Sequence, residues 1–395
     1  ARLAARPSAT PSRRTIPGSS QSAASVRHTR KPTRPKATRP WKGRLLAVSA
    51  ARIAPGLSRS HPRRVNHARW PVVSVLATLS ASMANKITVV GAGHVGMITA
   101  QKCAEKELAR EIVLIDVLEG RPQGIALDLN QAAAVEGCSS RVVGTNDPAA
   151  TADSELVIVT AGKPRTPGMS RSDLLAVNGK IVENVARTVR ERSPDAIVIV
   201  VTNPLDPMTA LMKAKLGFPA RRVLGMAGVL DGARFSWFLA EAAGAGVADV
   251  DAMVLGAHGD SMVPLPRCAT IHGVPVGEVL DRAKIAAIAE RTKNGGAEIV
   301  NLLKSGSAFF APASSSVAMA KAILRDEKRL LASTCLLNGE YGIEGVYVGV
   351  PAILGRSGVE RIVEVPLDTE ARMALQKTVG AVQKDVAALR DLGLM

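Results

Sequence analysis

The chain has 395 residues, enough for two domains and a large core, and aromatic residues make up only 3%, so that core must be mostly Ala, Val, Leu and Ile. A formal charge of +17 suggests a polyanionic partner until it is located: residues 1–82 hold 17 of the 51 Lys and Arg and no Asp or Glu, which leaves 34 basic residues to face all 34 acidic ones. The body of the chain is therefore neutral, which argues against nucleic-acid binding by it, and no apolar run reaches the ~20 residues that cross a bilayer.

Residues 1–82 are rich in Arg, Pro, Ser and Ala, the composition of a disordered segment. Three readings compete: an organelle-targeting presequence, a secretory signal using the short apolar run Val72–Leu79, or translated upstream sequence with the start at Met83. Met83-Ala84-Asn85-Lys86 leads straight into the first strand, which favours the third. The expected location is the cytoplasm, with organelle targeting as the alternative.

From Met83 onward strands and helices alternate. Residues 86–116 read as strand, glycine-rich turn, helix, strand and acid: Ile87–Val90, then Gly91-Ala92-Gly93-His94-Val95-Gly96, then Ile112–Ile115 capped by Asp116. Each part has a separate reason in a dinucleotide site. Gly91 permits the tight turn, Gly93 lets the backbone approach a pyrophosphate, and Gly96 lets the helix lie close on the strand. The helix N-terminus offers unpaired N–H groups at His94, Val95 and Gly96 to phosphate. Asp116 sits where a carboxylate accepts hydrogen bonds from both ribose hydroxyls of NAD, and its charge would repel the extra phosphate of NADP.

A helix is expected over Glu119–Val135, a strand near Arg141–Gly144, a doubly covered strand at Leu156–Val159, a helix over Ser172–Arg192 and a second buried strand at Ala196–Val201. Such alternation gives right-handed βαβ units in a doubly wound parallel sheet, expected to end near Met226. The second half predicts a helix over Gly228–Ala243, strands at Ala252–Gly256 and Val263–His272, and a hairpin at His272-Gly273. Helices over Val276–Glu290, Arg291–Leu303 and Pro312–Leu324 follow. Strands at Leu330–Leu337 and Val346–Val350 then precede a last helix over Asp368–Leu389. The architecture expected is a Rossmann-type α/β domain over 83–226 followed by an α+β substrate domain over 227–395. Four widely spaced cysteines suggest neither a metal site nor a disulfide framework, only buried thiols.

The chemistry gathers on loops that leave strand ends. Gly256-Ala257-His258-Gly259-Asp260 flanks a histidine with small residues, keeping an imidazole accessible. Asp231 and Arg234 lie three apart at a helix start, hence on one face. Asp231 would fix the tautomer of His258 and stabilise its cation, while Arg234 offers a planar fork to a carboxylate. The bland alternatives are a satisfied core histidine and a surface ion pair. The polar loop Gly162–Arg171 leaves the carboxyl end of a parallel strand, so Arg165 and Arg171 are placed to meet an anionic substrate. Val201 and Asn203 leave the next strand into the same crevice, where the Asn203 amide could bridge cofactor and substrate.

Together these motifs resemble the lactate/malate dehydrogenase superfamily over about residues 84–395, on the malate dehydrogenase side of its lactate-dehydrogenase-like branch. The resemblance implies NAD as cofactor, no metal, and reversible hydride transfer between (S)-malate and NAD in the tricarboxylic acid cycle. It implies that His258 and Asp231 form the catalytic pair, that Arg234 grips the carboxylate beside the reacting carbon, and that Arg171 polarises the carbonyl. Asn203 would help position substrate, and Asn178 would contact the cofactor. Arg165 falls at the family's discriminating position, where malate dehydrogenases carry Arg and lactate dehydrogenases usually Gln. A second carboxylate buried there needs a cation, whereas a methyl group would leave that Arg unpaired. Ala313-Ser314-Ser315-Ser316 resembles the pocket-closing helix, and a homodimer or homotetramer is implied. The competing readings are L-lactate dehydrogenase and, in another class, a non-catalytic NAD- or nucleic-acid-binding protein.

Overall fold

The computed structural model describes residues 83–164 and 168–395; the N-terminal extension and Arg165, with Thr166 and Pro167, lie outside the described residues. The first half contributes six strands, β1 (Ala84–Val90), β2 (Ala109–Ile115), β3 (Arg141–Thr145), β4 (Leu156–Val159), β5 (Ile197–Val200) and β6 (Val223–Gly225). All pair in parallel, in the order β3-β2-β1-β4-β5-β6. Four helices connect them: α1 (His94–Glu105), α2 (Arg121–Glu136), α3 (Arg171–Arg192) and α4 (Leu205–Leu216). The chain reverses its winding between β1 and β4, the switch point outside whose strand ends doubly wound sheets bind their ligands.

The period-two repeat explains why these strands are apolar throughout. Ile87, Val89, Ile112, Leu114, Leu156, Ile158 and Ile199 point into one layer, while Val157, Val159, Val198 and Val200 point into the other. The second layer is closed by Val182 and Val189 of α3 with Met208, Leu211 and Met212 of α4. At roughly 2 kcal/mol for each fully buried aliphatic side chain, the two layers give this sheet its stability.

The second half begins with α5 (Gly228–Ala243) and short strands β7 (Val250–Asp251), β8 (Val254–Leu255), β9 (Val263–Pro264), β10 (Thr270–Ile271) and β11 (Val274–Pro275). Helices α6 (Arg282–Leu303) and α7 (Phe310–Leu324) follow, then strands β12 (Arg329–Asn338), β13 (Glu344–Gly355) and β14 (Gly358–Ile362), and last α8 (Thr369–Asp391). The three long strands form an antiparallel meander. That meander is hydrogen-bonded onto β6 with Thr334 opposite Gly225, so one nine-stranded sheet runs from β3 to β14.

Several expected elements differ in detail. The strand expected over Val263–His272 breaks at Pro264 and Pro266, which have no N–H for a ladder, and a 3-10 turn at Pro266–Cys268 separates β9 from β10. The two helices expected over Val276–Glu290 and Arg291–Leu303 are one helix after a 3-10 turn at Val276–Glu278. Asp281 starts α6 by accepting the Lys284 N–H at 2.7 Å, a cap that the apolar periodicity conceals. The expected hairpin at His272-Gly273 joins β10 to β11, with φ of 47° and 86° at the two residues. Cys103 and Cys335 are buried, but Cys138 and Cys268 are only half-buried, and all four are free thiols.

Candidate active site

The glycine-rich turn shows which glycines the fold itself demands. Gly91 has φ of 102° and lies against Thr160-Ala161, and a Cβ on Gly96 would come within 1.8 Å of the Gly91 carbonyl oxygen. Gly93 is different: its φ is −73° and a Cβ there would meet nothing within 4 Å. Among the described residues no protein contact requires glycine at 93, which leaves the position open to the close approach of a ligand. The turn opens α1 with no side-chain cap, so its first N–H groups, including those of His94 and Val95, have no partner within the helix. Asp116 leaves β2 beside them. It is anchored by the Ala92 N–H at 2.6 Å and the Leu118 N–H at 3.0 Å, one to each oxygen. Each oxygen keeps a lone pair to accept a further hydroxyl, so these residues fit NAD.

His258 is held from both ends. Its turn follows β8, and Gly256, at φ of 85°, exchanges both backbone hydrogen bonds with Gly349 of β13. Ala257 donates its N–H to Thr378 of α8 at 3.0 Å, and His258 donates its own to the Asp206 carboxylate at 3.0 Å. The ring is fixed separately, with Nδ1 2.8 Å from Asp231 Oδ2. The other oxygen of Asp231 accepts from Arg234 at 3.2 Å. One buried carboxylate in the first turn of α5 thus orients both an imidazole and a guanidinium. It can do so because the helical spacing sets residues 231 and 234 on one face.

Burial opposes the His258 cation. The charge and hydrogen bond of Asp231 outweigh that penalty, Asp206 adds to them, Arg234 subtracts, and the net effect raises the imidazole pKa. Burial likewise lowers the pKa of Arg234, against the pull of Asp231. Among the described residues the buried Arg234 Nε has no partner, a donor that an incoming anion would satisfy. Two α6 glycines make room for this group, since a Cβ on Gly295 would sit 3.2 Å from Arg234 Cδ.

Arg171 opens α3, where Ser170 and Asp173 form a reciprocal capping box. Its guanidinium pairs with both oxygens of Asp385 on α8. The charges of Asp206 and Asp260 also act on it. Asn203 is exposed just before a cis bond to Pro204, and Val201 is half-buried beside it. Asn178 is 1% exposed and its amide is occupied by backbone. It accepts from Lys163 N–H at 2.8 Å and donates to the carbonyls of Lys163 and Asn203, tying the loop after β4 to the loop after β5. Ser315 and Ser316 of α7 are buried while Ser314 is exposed, and Ser316 bonds back to the Pro312 carbonyl. Sequence reasoning missed Asp206, Thr378 and Asp385. Asp206 alone left a signal, an acid just past a buried strand in Asn203-Pro204-Leu205-Asp206.

Two family models cover this arrangement: the lactate/malate dehydrogenase NAD binding domain over residues 85–225 and the lactate/malate dehydrogenase alpha/beta C-terminal domain over residues 228–391. The chain belongs to the lactate/malate dehydrogenase family. It is 51% identical over 310 residues to the malate dehydrogenase of Roseiflexus castenholzii, a match spanning 78% of this chain and all of the relative. The crystal structure of Cryptosporidium parvum malate dehydrogenase superposes with a TM-score of 0.76 at 43% identity, covering 78% of this chain and 100% of that one. Eimeria maxima lactate dehydrogenase with NADH and oxamate superposes with the same TM-score at 39% identity, covering 78% and 95%. The family's mostly parallel sheet and its α/β C-terminal half are those described above, and its members are NAD-dependent oxidoreductases.

Proposed function

We propose that this chain catalyses the NAD-dependent interconversion of (S)-malate and oxaloacetate. The observation that carries the reading is Asp231 bridging His258 and Arg234, because it places a proton carrier and a carboxylate fork on one rigid support. When bound, NAD supplies the hydride acceptor. With Nδ1–H directed to Asp231, the free Nε2 of neutral His258 takes the malate hydroxyl proton, and Asp231 stabilises the imidazolium that results. Arg234 holds the carboxylate next to the reacting carbon and Arg165 the distal one. Arg171, exchanging Asp385 for substrate, stabilises charge on the reacting oxygen, and Asn203 helps position it. In reduction the proton returns from His258 to the new hydroxyl.

The choice of malate over lactate is supported by Arg165 in the sequence and by relatives named malate dehydrogenase at about half identity over their full length. The NAD-binding half is assigned to 83–226 and the substrate half to 227–395, supported by the point where the two family models meet. Gly91, Gly93, His94, Val95, Gly96, Asp116 and Val201 are assigned to the cofactor, and Asn178 acts on it through the loops it ties. A homodimer or homotetramer, a cytoplasmic location and a place in the tricarboxylic acid cycle go with this reading. Among the described residues no helix is long and apolar enough to cross a membrane. Steady-state rates with NADH and with NADPH test the cofactor assignment: Asp116 predicts a strong preference for NADH, and equal use of the two would overturn it.

A further inference from the structure

We infer that Asp206 is a positioning residue for proton transfer: its carboxylate fixes the backbone of the His258 turn and, together with Asp231, sets the charge state of the imidazole. The inference rests on the reading of His258 as the proton carrier.

Asp206 lies in the first turn of α4 and is 2% exposed. One oxygen accepts the His258 N–H at 3.0 Å and the other accepts the Thr334 hydroxyl at 3.0 Å. Thr334 is fully buried and stands opposite Gly225, where the meander joins the parallel sheet. A single carboxylate therefore ties α4, the histidine turn and β12 together.

The backbone tie alone does not call for a charge. An amide could accept the same N–H without the penalty of burying an anion. That penalty is visible, because burial pushes the Asp206 carboxyl up to about 6 despite the pull of His258, the Thr334 hydroxyl and the His258 N–H. What a carboxylate supplies and an amide does not is negative charge, and His258 is the titratable group that it faces. The charged groups acting on the imidazole are Asp231 and Arg234 from α5 and Asp206 from α4. Arg171 from α3 lies in the field of Asp206, Asp260 and Asp385. Asp231 acts at the ring and Asp206 from the backbone side, so the two anions share the work of holding a proton on a buried imidazole.

Asp206→Asn is the decisive variant, because its amide keeps an acceptor for the His258 N–H and can donate to the Thr334 oxygen while removing the charge. In the otherwise intact protein, the His258 imidazole is titrated by NMR, its resonance identified by its loss in His258→Asn. The expected midpoint falls by about one pH unit, as for a carboxylate removed from a charged neighbour. The pH profile of kcat/KM for oxaloacetate should move down with it, giving about a tenfold loss on the alkaline side, while the KM for NADH stays within about twofold. A folded Asp206→Asn protein with an unmoved midpoint overturns the inference. If that variant does not fold, Thr334→Val reads the same coupling. Loss of the hydroxyl donor leaves Asp206 neutral over a wider pH range, so the His258 midpoint should fall by a smaller amount, and an unmoved midpoint again overturns the inference. The NMR titration needs no substrate. A wild-type protein inactive with oxaloacetate would refute the proposed function and leave the Asp206–His258 coupling separately readable.

Discussion

The guanidinium of Arg171 is bound by both oxygens of Asp385, a residue 214 positions later on the last helix. The Arg171 side chain is 63% exposed and that of Asp385 10%, so solvent screens one partner of the pair. A pair of that kind is worth about 1 kcal/mol or less. If Arg171 serves the reacting oxygen, Asp385 competes with substrate for it. Asp385→Asn should therefore raise kcat/KM for oxaloacetate about two- to fivefold, the release of at most ~1 kcal/mol of competition. Arg171→Lys, which loses the planar fork, should lower it at least about tenfold. Steady-state kinetics of both variants checks this; an Asp385→Asn enzyme as impaired as Arg171→Lys would mean that the ion pair itself is needed for turnover.

The division of labour at Asp231 makes a second prediction. His258→Asn removes the proton carrier, and Asp231→Asn removes both the tautomer lock and the partner of the imidazolium. Each should reduce kcat by roughly 10³-fold or more, with NADH affinity by calorimetry changed little. Loss of NADH binding in either variant would show that the pair shapes the cofactor site rather than the chemistry.

The sequence revealed the parts of the fold that repeat and those candidate residues, sitting in short motifs, that the structure brings together. Leu156–Val159 reads as a doubly covered strand because four consecutive apolar residues serve two layers, and its bounds agree with β4. His258, Asp231 and Arg234 were legible because strand-end turns and helical spacing carry local signals. Asp385 was not, because its partner lies 214 positions away, and Asp206, though an acid just past a buried strand, gave no sign of its partner 52 positions on. The joining of the meander to β6 was hidden for a similar reason: a single pairing, Thr334 with Gly225, carries one sheet across the two expected domains. Asn178 stood in a recognisable place, yet only coordinates reveal that its amide is spent on two loops.

Stability should fall as pH rises across the neutral range. Asp206 has its pKa raised to about 6 by burial, and His258 is raised by Asp231 against the burial penalty. The folded chain therefore holds protons that the unfolded chain has released. That contribution is complete below the ordinary values of each group and is lost as pH climbs through the folded ones. The expected cost from Asp206 alone is on the order of 3 kcal/mol between about pH 4 and pH 7, and His258 adds to it in the same direction at higher pH. Urea unfolding across this window measures it, and a flat or rising profile would contradict the assignment of these two groups.

Two glycines of the same turn should behave in opposite ways. Gly93→Ala has a permitted φ and open space around it, so its melting temperature should match wild type while NADH affinity drops at least about tenfold. Gly96→Ala forces a Cβ into the Gly91 carbonyl, so it should destabilise the fold itself by several kcal/mol. Thermal unfolding with and without NADH separates the two outcomes. An equal loss of stability at both positions would mean that the openness at Gly93 is not a ligand seat.

The substrate assignment is tested most directly by the ratio of kcat/KM for oxaloacetate to that for pyruvate, measured with NADH in the wild-type protein and in Arg165→Gln. A charge partner for the second carboxylate predicts a ratio of roughly 10³ or more in the wild type and a fall of at least about tenfold in the variant. Comparable turnover of the two acids by the wild type, or a ratio that Arg165→Gln leaves unchanged, would contradict it.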